Sequence, residues 1–438
     1  MSAETIAAEA VVAAKPLPGA TRNRILAYVG LLMLLLGAGS PANGLIDLPI
    51  SFLLKNKLHL PSHEVANFRL LASVPLYLSF MFGFARDRWN LFGRKDRGLL
   101  MVFGALCAAT YGLFAFAPAT YPVLLAAVLL SSVAWSFAHA AQQGLSTQIG
   151  QQHVMSGQVS TIWNIFIVVP YLASYLAGGA LSQALEGGAA SLAARTLFLA
   201  GAALLAGVAL VGLWRPKVVF DNLAKEPAPT RAWDDLKRLV RHWPVYPALG
   251  MWFLFSFAPG SGTPLQYYLQ NTLHATDSQW GQWNAIFAGA FIPTYLLFGV
   301  LCRRFPLRTL LWWGTLVAVP QMVPLWFIHS VDQALIAAAV IGLLGGVVNA
   351  AMVDLLIRSA PPGLQGTTLM MSVSLYWIAI RFGDVLGTRL YDHFGGFGVC
   401  VIAITVAYAL MIPVLMLVPK RLIATADGEV APAATAAE

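Results

Sequence analysis

GFARDRWNLFGRKDR, residues Gly83–Arg97, holds seven charges in a chain that is only 11% charged. It ends one long apolar run and precedes another. A run of about 20 apolar residues spans a bilayer, and Lys and Arg collect in loops on the cytoplasmic side. The stretch therefore reads as a cytoplasmic loop between two membrane helices, and it orients every other span.

The rest of the composition agrees. The chain has 438 residues, 58% of them hydrophobic, with mean hydropathy +0.70, whereas a soluble domain carries about 25% charge. A polytopic membrane protein is expected, with the lipid bilayer as its solvent. The net charge of +8 and pI near 9.5 would suit nucleic acid. Nearly all the charges fall in loops on one predicted side, so no nucleic-acid partner is expected. Cys107, Cys302 and Cys400 sit in or at the ends of apolar runs without paired spacing, which gives neither a disulfide framework nor a metal site. No cofactor is expected. The segment before Ile25 has no apolar core of the kind a cleaved signal carries, so the first membrane helix does the targeting.

Residues 1–24 read as a cytoplasmic tail, 25–213 as a first bundle of six helices, and 214–244 as a cytoplasmic linker. Residues 245–418 read as a second bundle of six, and 419–438 as a second tail, Ala-rich and expected to be disordered after Lys420. The first span, Ile25–Leu54, is interrupted by GAGSPANG at Gly37–Gly44. In the linker, Trp233, Leu236, Leu239 and Val240 recur at helical spacing opposite the charges, which predicts an amphipathic helix on the membrane surface. With the N-terminus inside, the cytoplasmic segments collect most of the Lys and Arg, so both ends are placed in the cytosol. The halves also repeat: AAQQGLSTQIGQQHVMSGQ (Ala140–Gln158) corresponds to AAMVDLLIRSAPPGLQGTT (Ala350–Thr368).

The spacing Gly83-x-x-x-Asp87-Arg88, followed by Gly93-Arg94-Lys95, resembles the loop between helices 2 and 3 of the major facilitator superfamily. That resemblance implies an all-α membrane protein of twelve transmembrane helices in two six-helix bundles, with solute bound between them near the midplane. Within the superfamily the chain looks like the folate–biopterin transporter family. The stretches that carry this are LPISFLLKNKLHL (Leu48–Leu60), the step from Asp87 to Gly93, PGSGTPLQYYLQNTL (Pro259–Leu273) followed by Gly281, and APPGLQGTT (Ala360–Thr368). It departs from that family in span 2, where a Lys-Pro pair is usual and Ser79-Phe80 stands instead. The resemblance thus carries the fold further than a pterin or folate substrate.

No GxxxxGK[ST], HExxH or GxSxG occurs, so neither an ATPase nor another enzyme is expected, and a gradient must supply the driving force. Span 11 starts on the cytoplasmic side. A carboxylate at its N-terminus gains about 0.3–1 kcal/mol from the helix dipole and the free N–H groups. By resemblance Asp87 fills this role, clamping the halves on the inner side, with Gly83 and Gly93 in the loop motif and Arg88, Arg94 and Lys95 pairing across the same seam. The alternative is a solvated loop carboxylate.

Ionisable groups inside spans are costly and mark function by default. Asp47, Arg69, Arg381 and Asp384 all fall in the outer half, and Arg381 and Asp384 share a helical face. They read either as an outer charge network coupled to protons or as a structural neutralisation of Arg381 by Asp384. Trp135, His139, Gln142, Gln143, Asn164, Tyr267, Tyr268, Tyr376 and Trp377 are candidate lining for a cavity that takes a planar organic solute, although helix packing or interfacial anchoring explains any one of them. The expectation is a monomeric carrier of a small organic solute, with proton-coupled uptake as the mode. Proton-antiport efflux and a non-transporting assembly factor or receptor are the alternatives.

Overall fold

The computed structural model describes residues 17–429, apart from 43–49, 51–52, 55–57, 61, 119, 187–189, 222, 225–226, 228 and 395. Asp47 and most of the Leu48–Leu60 stretch lie outside the described residues. The described chain is helical, with no strand among the described residues.

The helices in order are α1 (Gly19–Ala38), α2 (Ser62–Ala72), α3 (Val74–Tyr77), α4 (Ser79–Arg88), α5 (Asp96–Phe114), α6 (Tyr121–Gln152), α7 (Ser156–Glu186) and α8 (Ala190–Leu213). After the short α9 (Lys217–Phe220) comes α10 (Ala232–Arg241), at the place where the linker pattern predicts an amphipathic helix. Then follow α11 (Val245–Ser256), α12 (Thr263–Tyr267), α13 (Asp277–Leu301), α14 (Leu307–Ala318), α15 (Val331–Ser359), α16 (Gln365–Phe394), α17 (Phe397–Ala409), α18 (Met411–Met416) and α19 (Lys420–Ile423). Eight of the helical stretches are long and apolar enough to cross a membrane. The segments expected as spans 2 (residues 65–85), 7 (245–269) and 9 (309–327) are instead assembled from shorter pieces.

Each break has a local cause and a local repair. Pro75 sits at the start of α3, and Ser73 and Ser79 bridge the joints by donating to Arg69 O at 2.8 Å and Leu76 O at 2.7 Å. In span 7, Pro259, Gly260 and Pro264 end α11 and restart the chain as α12. Gly260 takes φ 104° against Cys400, and a Cβ on Gly387 would meet Gly260 Cα at 2.7 Å. The Gly383-xxx-Gly387 pair therefore serves the crossing of α16 over this break. Membrane helices tolerate such interruptions when neighbours satisfy the freed backbone groups.

Six helix pairs join the first set of helices (α1–α8) to the second (α11–α18): α3, α4 and α6 on α16, α6 and α7 on α15, and α7 on α13. The α4–α16 and α7–α13 contacts correspond under the internal repeat. The tail is not disordered where it is described: α19 is followed by an ordered segment to Glu429 with Asp427 buried. An Ala-rich composition understates a segment that carries one well-placed carboxylate.

Candidate functional site

At the end of the bundle that carries the basic loops, a carboxylate meets a helix N-terminus. The last turn of α4 presents Asp87 to the first turn of α16, where Asp87 accepts from the Gly366 and Thr367 backbone N–H groups at 3.0 and 2.7 Å. It also accepts from Thr367 Oγ1 at 2.6 Å. The first-turn N–H groups of a helix have no partner within it, so this geometry satisfies them and places negative charge at the positive end of the dipole. Gly83 brings the backbones together: a Cβ there would meet Thr367 Cα at 2.8 Å.

Arg86 holds the carboxylate from behind. Its Nη1 lies 2.8 Å from Asp87 Oδ1, and its Nε and Nη2 grip Asp96 at 2.5 and 2.6 Å. All three groups are buried, and the guanidinium rests on Gly144, where a Cβ would meet Nη1 at 2.7 Å. Burial pushes the Asp87 carboxyl up, against the opposing pull of Arg86 and the Thr367 donors. Sequence reading passed over Arg86, although it stands next to Asp87. Nothing in the residue order shows that it turns into the seam while Arg88, two residues on, does not.

Arg88 leaves the seam and pairs with Asp235 of α10 at 2.8 Å. Arg94 and Lys95 follow on the loop, and Arg94 makes no pair across the seam among the described residues. Both are exposed on the loop; Arg94 reaches Met101 Sδ at 3.5 Å, and the Lys95 backbone donates to Asn90 at 2.8 Å. Gly93, at φ 68°, and Phe92, at φ 56°, turn the loop so that these charges face away from the clamp. The linker adds its own ties: Arg238 donates to Pro362 O at 3.1 Å, and His242 Nε2 lies 3.1 Å from Ser359 O. Burial lowers the His242 imidazole below its ordinary range.

A second clamp stands where the repeat would put one. Asp427 of the tail accepts from Gly157 and Gln158 N–H at 3.1 and 2.9 Å, in the first turn of α7. Arg358 faces it at 3.2 Å and also holds Asp354 at 2.8 Å. Burial and the neighbouring Asp354 push the Asp427 carboxyl up to about 6, against Arg358 and the two N–H donors. Gln151 closes the gap between the two clamps, donating to Ile357 O at 2.8 Å and Ala360 O at 2.7 Å.

At the opposite end, Asp384 does not neutralise Arg381. It accepts from Thr263 N and Oγ1, both at 2.8 Å, and so caps α12 at the break in span 7. Arg381 is exposed and makes no ion pair among the described residues; Arg69 is exposed at the end of α2. A carboxylate beside a free helix N-terminus finds better partners there than on its own helix.

In the interior, Trp135 stacks on His139 at 4.4 Å and donates to Leu36 O at 2.8 Å. Gln143 Nε2 lies 3.1 Å from His139 Nε2, and His139 Nδ1 has no hydrogen-bond partner among the described residues. Gln142 donates to Ser146 at 3.1 Å and Asn164 to Ser160 O at 2.9 Å, while Ser160 donates across the halves to Ala350 O at 2.6 Å. A second aromatic cluster crosses the interface: Trp163 to Trp252 at 6.1 Å, Trp252 to Tyr376 at 6.2 Å, and Tyr376 to Trp377 at 5.7 Å. Trp163 and Trp252 were missed in the sequence because lone tryptophans in apolar runs look like anchors. Tyr267 and Tyr268 stand apart from this cluster: Tyr267 is 53% exposed, and Tyr268 stacks on Phe397 at 5.0 Å and donates to Ile328 O.

Comparison with known proteins decides the family. The profile described as Major Facilitator Superfamily matches residues 70–383. The chain belongs to the Major Facilitator Superfamily. It is thus a multi-pass membrane protein of a transporter family rather than an enzyme. No curated protein matches the sequence. Among solved structures, the human organic anion transporter MFSD10 (TETRAN) superposes with TM-score 0.64 at 15% identity, covering 91% of this chain and 100% of that one. The proton:xylose symporter XylE, bound to 6-bromo-6-deoxy-D-glucose, superposes with TM-score 0.65 at 13% identity, covering 93% and 97%. At such identities the likeness is one of fold.

For the superfamily fold, the departure at Ser79-Phe80 has a structural counterpart. Phe80 N–H donates to Ser374 Oγ of α16 at 3.1 Å, a bond that a proline at that position cannot make. The folate–biopterin resemblance rests on the sequence stretches alone.

Proposed function

We propose that this chain is a secondary active transporter with twelve spans in two six-helix bundles, both ends cytoplasmic, in the cytoplasmic membrane. It moves a small organic solute by alternating access between those bundles, as a monomer, with proton-coupled uptake as its mode. The observation that carries the reading is Asp87 on the N-terminus of α16, where a helix of one half ends on the first turn of a helix of the other. A contact made through three hydrogen bonds and one charge closes firmly and separates as a unit, which is what rocking halves require.

The aromatic cluster Trp163–Trp252–Tyr376 supports a planar solute. It spans the two halves, and Trp163 Nε1 is buried with no acceptor among the described residues, leaving a ring face and a donor for cargo. MFSD10 and XylE carry chemically different cargoes by name, so the solute class rests on these residues and not on the fold.

Purified protein in vesicles, screened against pterins, siderophores, peptides and sugars with and without a pH gradient, tests the proposal. The expected result is gradient-dependent accumulation of a planar solute that collapses on adding an uncoupler, and a fall of about tenfold or more in Trp163→Ala, since loss of a stacked aromatic contact costs of order 1–3 kcal/mol. Uptake indifferent to pH and uncoupler would remove proton coupling, and gradient-driven extrusion would favour the efflux reading. Tags near residue 60 and in the linker that face the same compartment would overturn the twelve-span topology.

A further inference from the structure

We infer that the C-terminal tail is a detachable part of the inner closure. The Asp427 carboxylate latches the N-terminus of α7 as Asp87 latches that of α16, and undocking of the tail is a step in opening the basic end. The inference rests on the alternating-access reading and adds to it a moving part outside both bundles.

The repeat makes the correspondence specific. Ala140–Gly144–Gln148 of α6 aligns with Ala350–Asp354–Arg358 of α15, and, with one residue fewer in the turn of the second half, Gly157-Gln158 of α7 falls opposite Gly366-Thr367 of α16. The turns before the two capped helices match in backbone: Val154 has φ 51° and Gly363 φ 78°. In the first half, the last turn of α4 after Gly83 supplies Asp87. In the second half, Gly299 makes the equivalent close approach, with a Cβ there meeting Thr161 Cγ2 at 3.0 Å, but four residues later stands Arg303, exposed. The second loop therefore has no carboxylate for α7.

The tail provides it. Asp427 seats both oxygens on Gly157 and Gln158, and its own N–H donates to Cys302 O at 2.8 Å. The next residue, Gly428, donates to Val154 O of the first half at 2.7 Å. Arg358 then plays the part of Arg86, reaching Asp427, Asp354 and the tail carbonyls Leu422 O and Thr425 O. Each clamp thus comprises one buried arginine, two carboxylates and two first-turn N–H groups of a helix from the other half. The two differ in tether. Asp87 lies on a membrane helix, whereas Asp427 follows a four-residue helix and can leave without moving a span.

Thiol labelling from the basic side tests this and needs no solute, so it stands whether or not the transport reading does. The first readout is a cysteine at Thr161→Cys, one turn inside the α7 cap, in a Cys302→Ala background. Asp427→Arg and Asp427→Ala are each expected to raise its labelling rate about tenfold; a rate within twofold of the parent in both overturns the latch. The second readout keeps Asp427 intact and follows native Cys302, buried 3.8 Å from the Asp427 carboxylate. When Asp87→Asn opens the basic end, Cys302 is expected to become reactive together with Thr161→Cys. Labelling of Thr161→Cys that rises while Cys302 stays protected would show the tail docked through opening, and the inference fails.

Discussion

Asp87→Asn is expected to shift the protein toward the state open at its basic end, with labelling of a cysteine at Thr368→Cys rising about tenfold. The substitution keeps the shape and removes the charge. Asparagine still has one acceptor oxygen, but it also places an NH2 against backbone donors that need an acceptor. Hydrogen bonds to a charged group contribute about 1.5–3 kcal/mol against about 0.5–1.5 for neutral ones, and the helix dipole adds up to about 2 kcal/mol in buried geometry. Burial works the other way, because the neutral amide costs less to desolvate than the carboxylate. The net of these terms is of order 1–3 kcal/mol, and about 1.4 kcal/mol is tenfold. Thr368 is fully buried on α16 next to the cap, so its reactivity reports separation of the seam directly. Unchanged labelling from both sides, together with unchanged transport, would remove Asp87 from the cycle.

Arg86→Leu is expected to damage the folded protein more than any loop substitution. Leucine removes the guanidinium that the buried Asp87 and Asp96 carboxylates both hold, and breaking a buried ion pair from one side costs about 3–5 kcal/mol. The expected result is a melting temperature several degrees below the parent in detergent, partly recovered by adding Asp96→Asn, which removes one of the stranded charges. Gly144→Ala serves as an independent probe. Its Cβ would collide with the guanidinium, so a smaller loss in the same direction is expected. A melting curve for Arg86→Leu that superposes on the parent would mean that the two carboxylates are not held by Arg86.

Much of the helical architecture was legible in the residues because its cause is local. Apolar length predicts membrane helices, and the linker pattern Trp233–Val240 falls on α10, in which Trp233, Leu236 and Val240 are exposed and Leu239 is buried. Where the breaks fall is also local, as Pro75 and Pro259-Gly260 illustrate. The partners of charges were less legible. Arg381 and Asp384, three residues apart on one helix, look paired on paper, yet Asp384 turns to Thr263, more than a hundred residues away in sequence. Arg94 looks like a member of the clamp by spacing, but beyond the left-handed turn at Phe92 and Gly93 it is exposed and reaches Met101.

From the order of its residues alone this chain had to be a helical membrane protein with a basic loop after its second hydrophobic segment and an aspartate at the end of that segment. Hydropathy, loop charge and helix spacing are properties of contiguous residues, and water and lipid act on them before any long-range contact forms. Which carboxylate meets which helix end was decided only by the folded whole. A free N-terminus on α7 or α16 becomes a binding site only once another segment is packed within about 3 Å of it. That is why Asp87 could be read from its motif, while Asp427, in a tail that looks featureless, took its meaning from α7, Arg358 and Asp354.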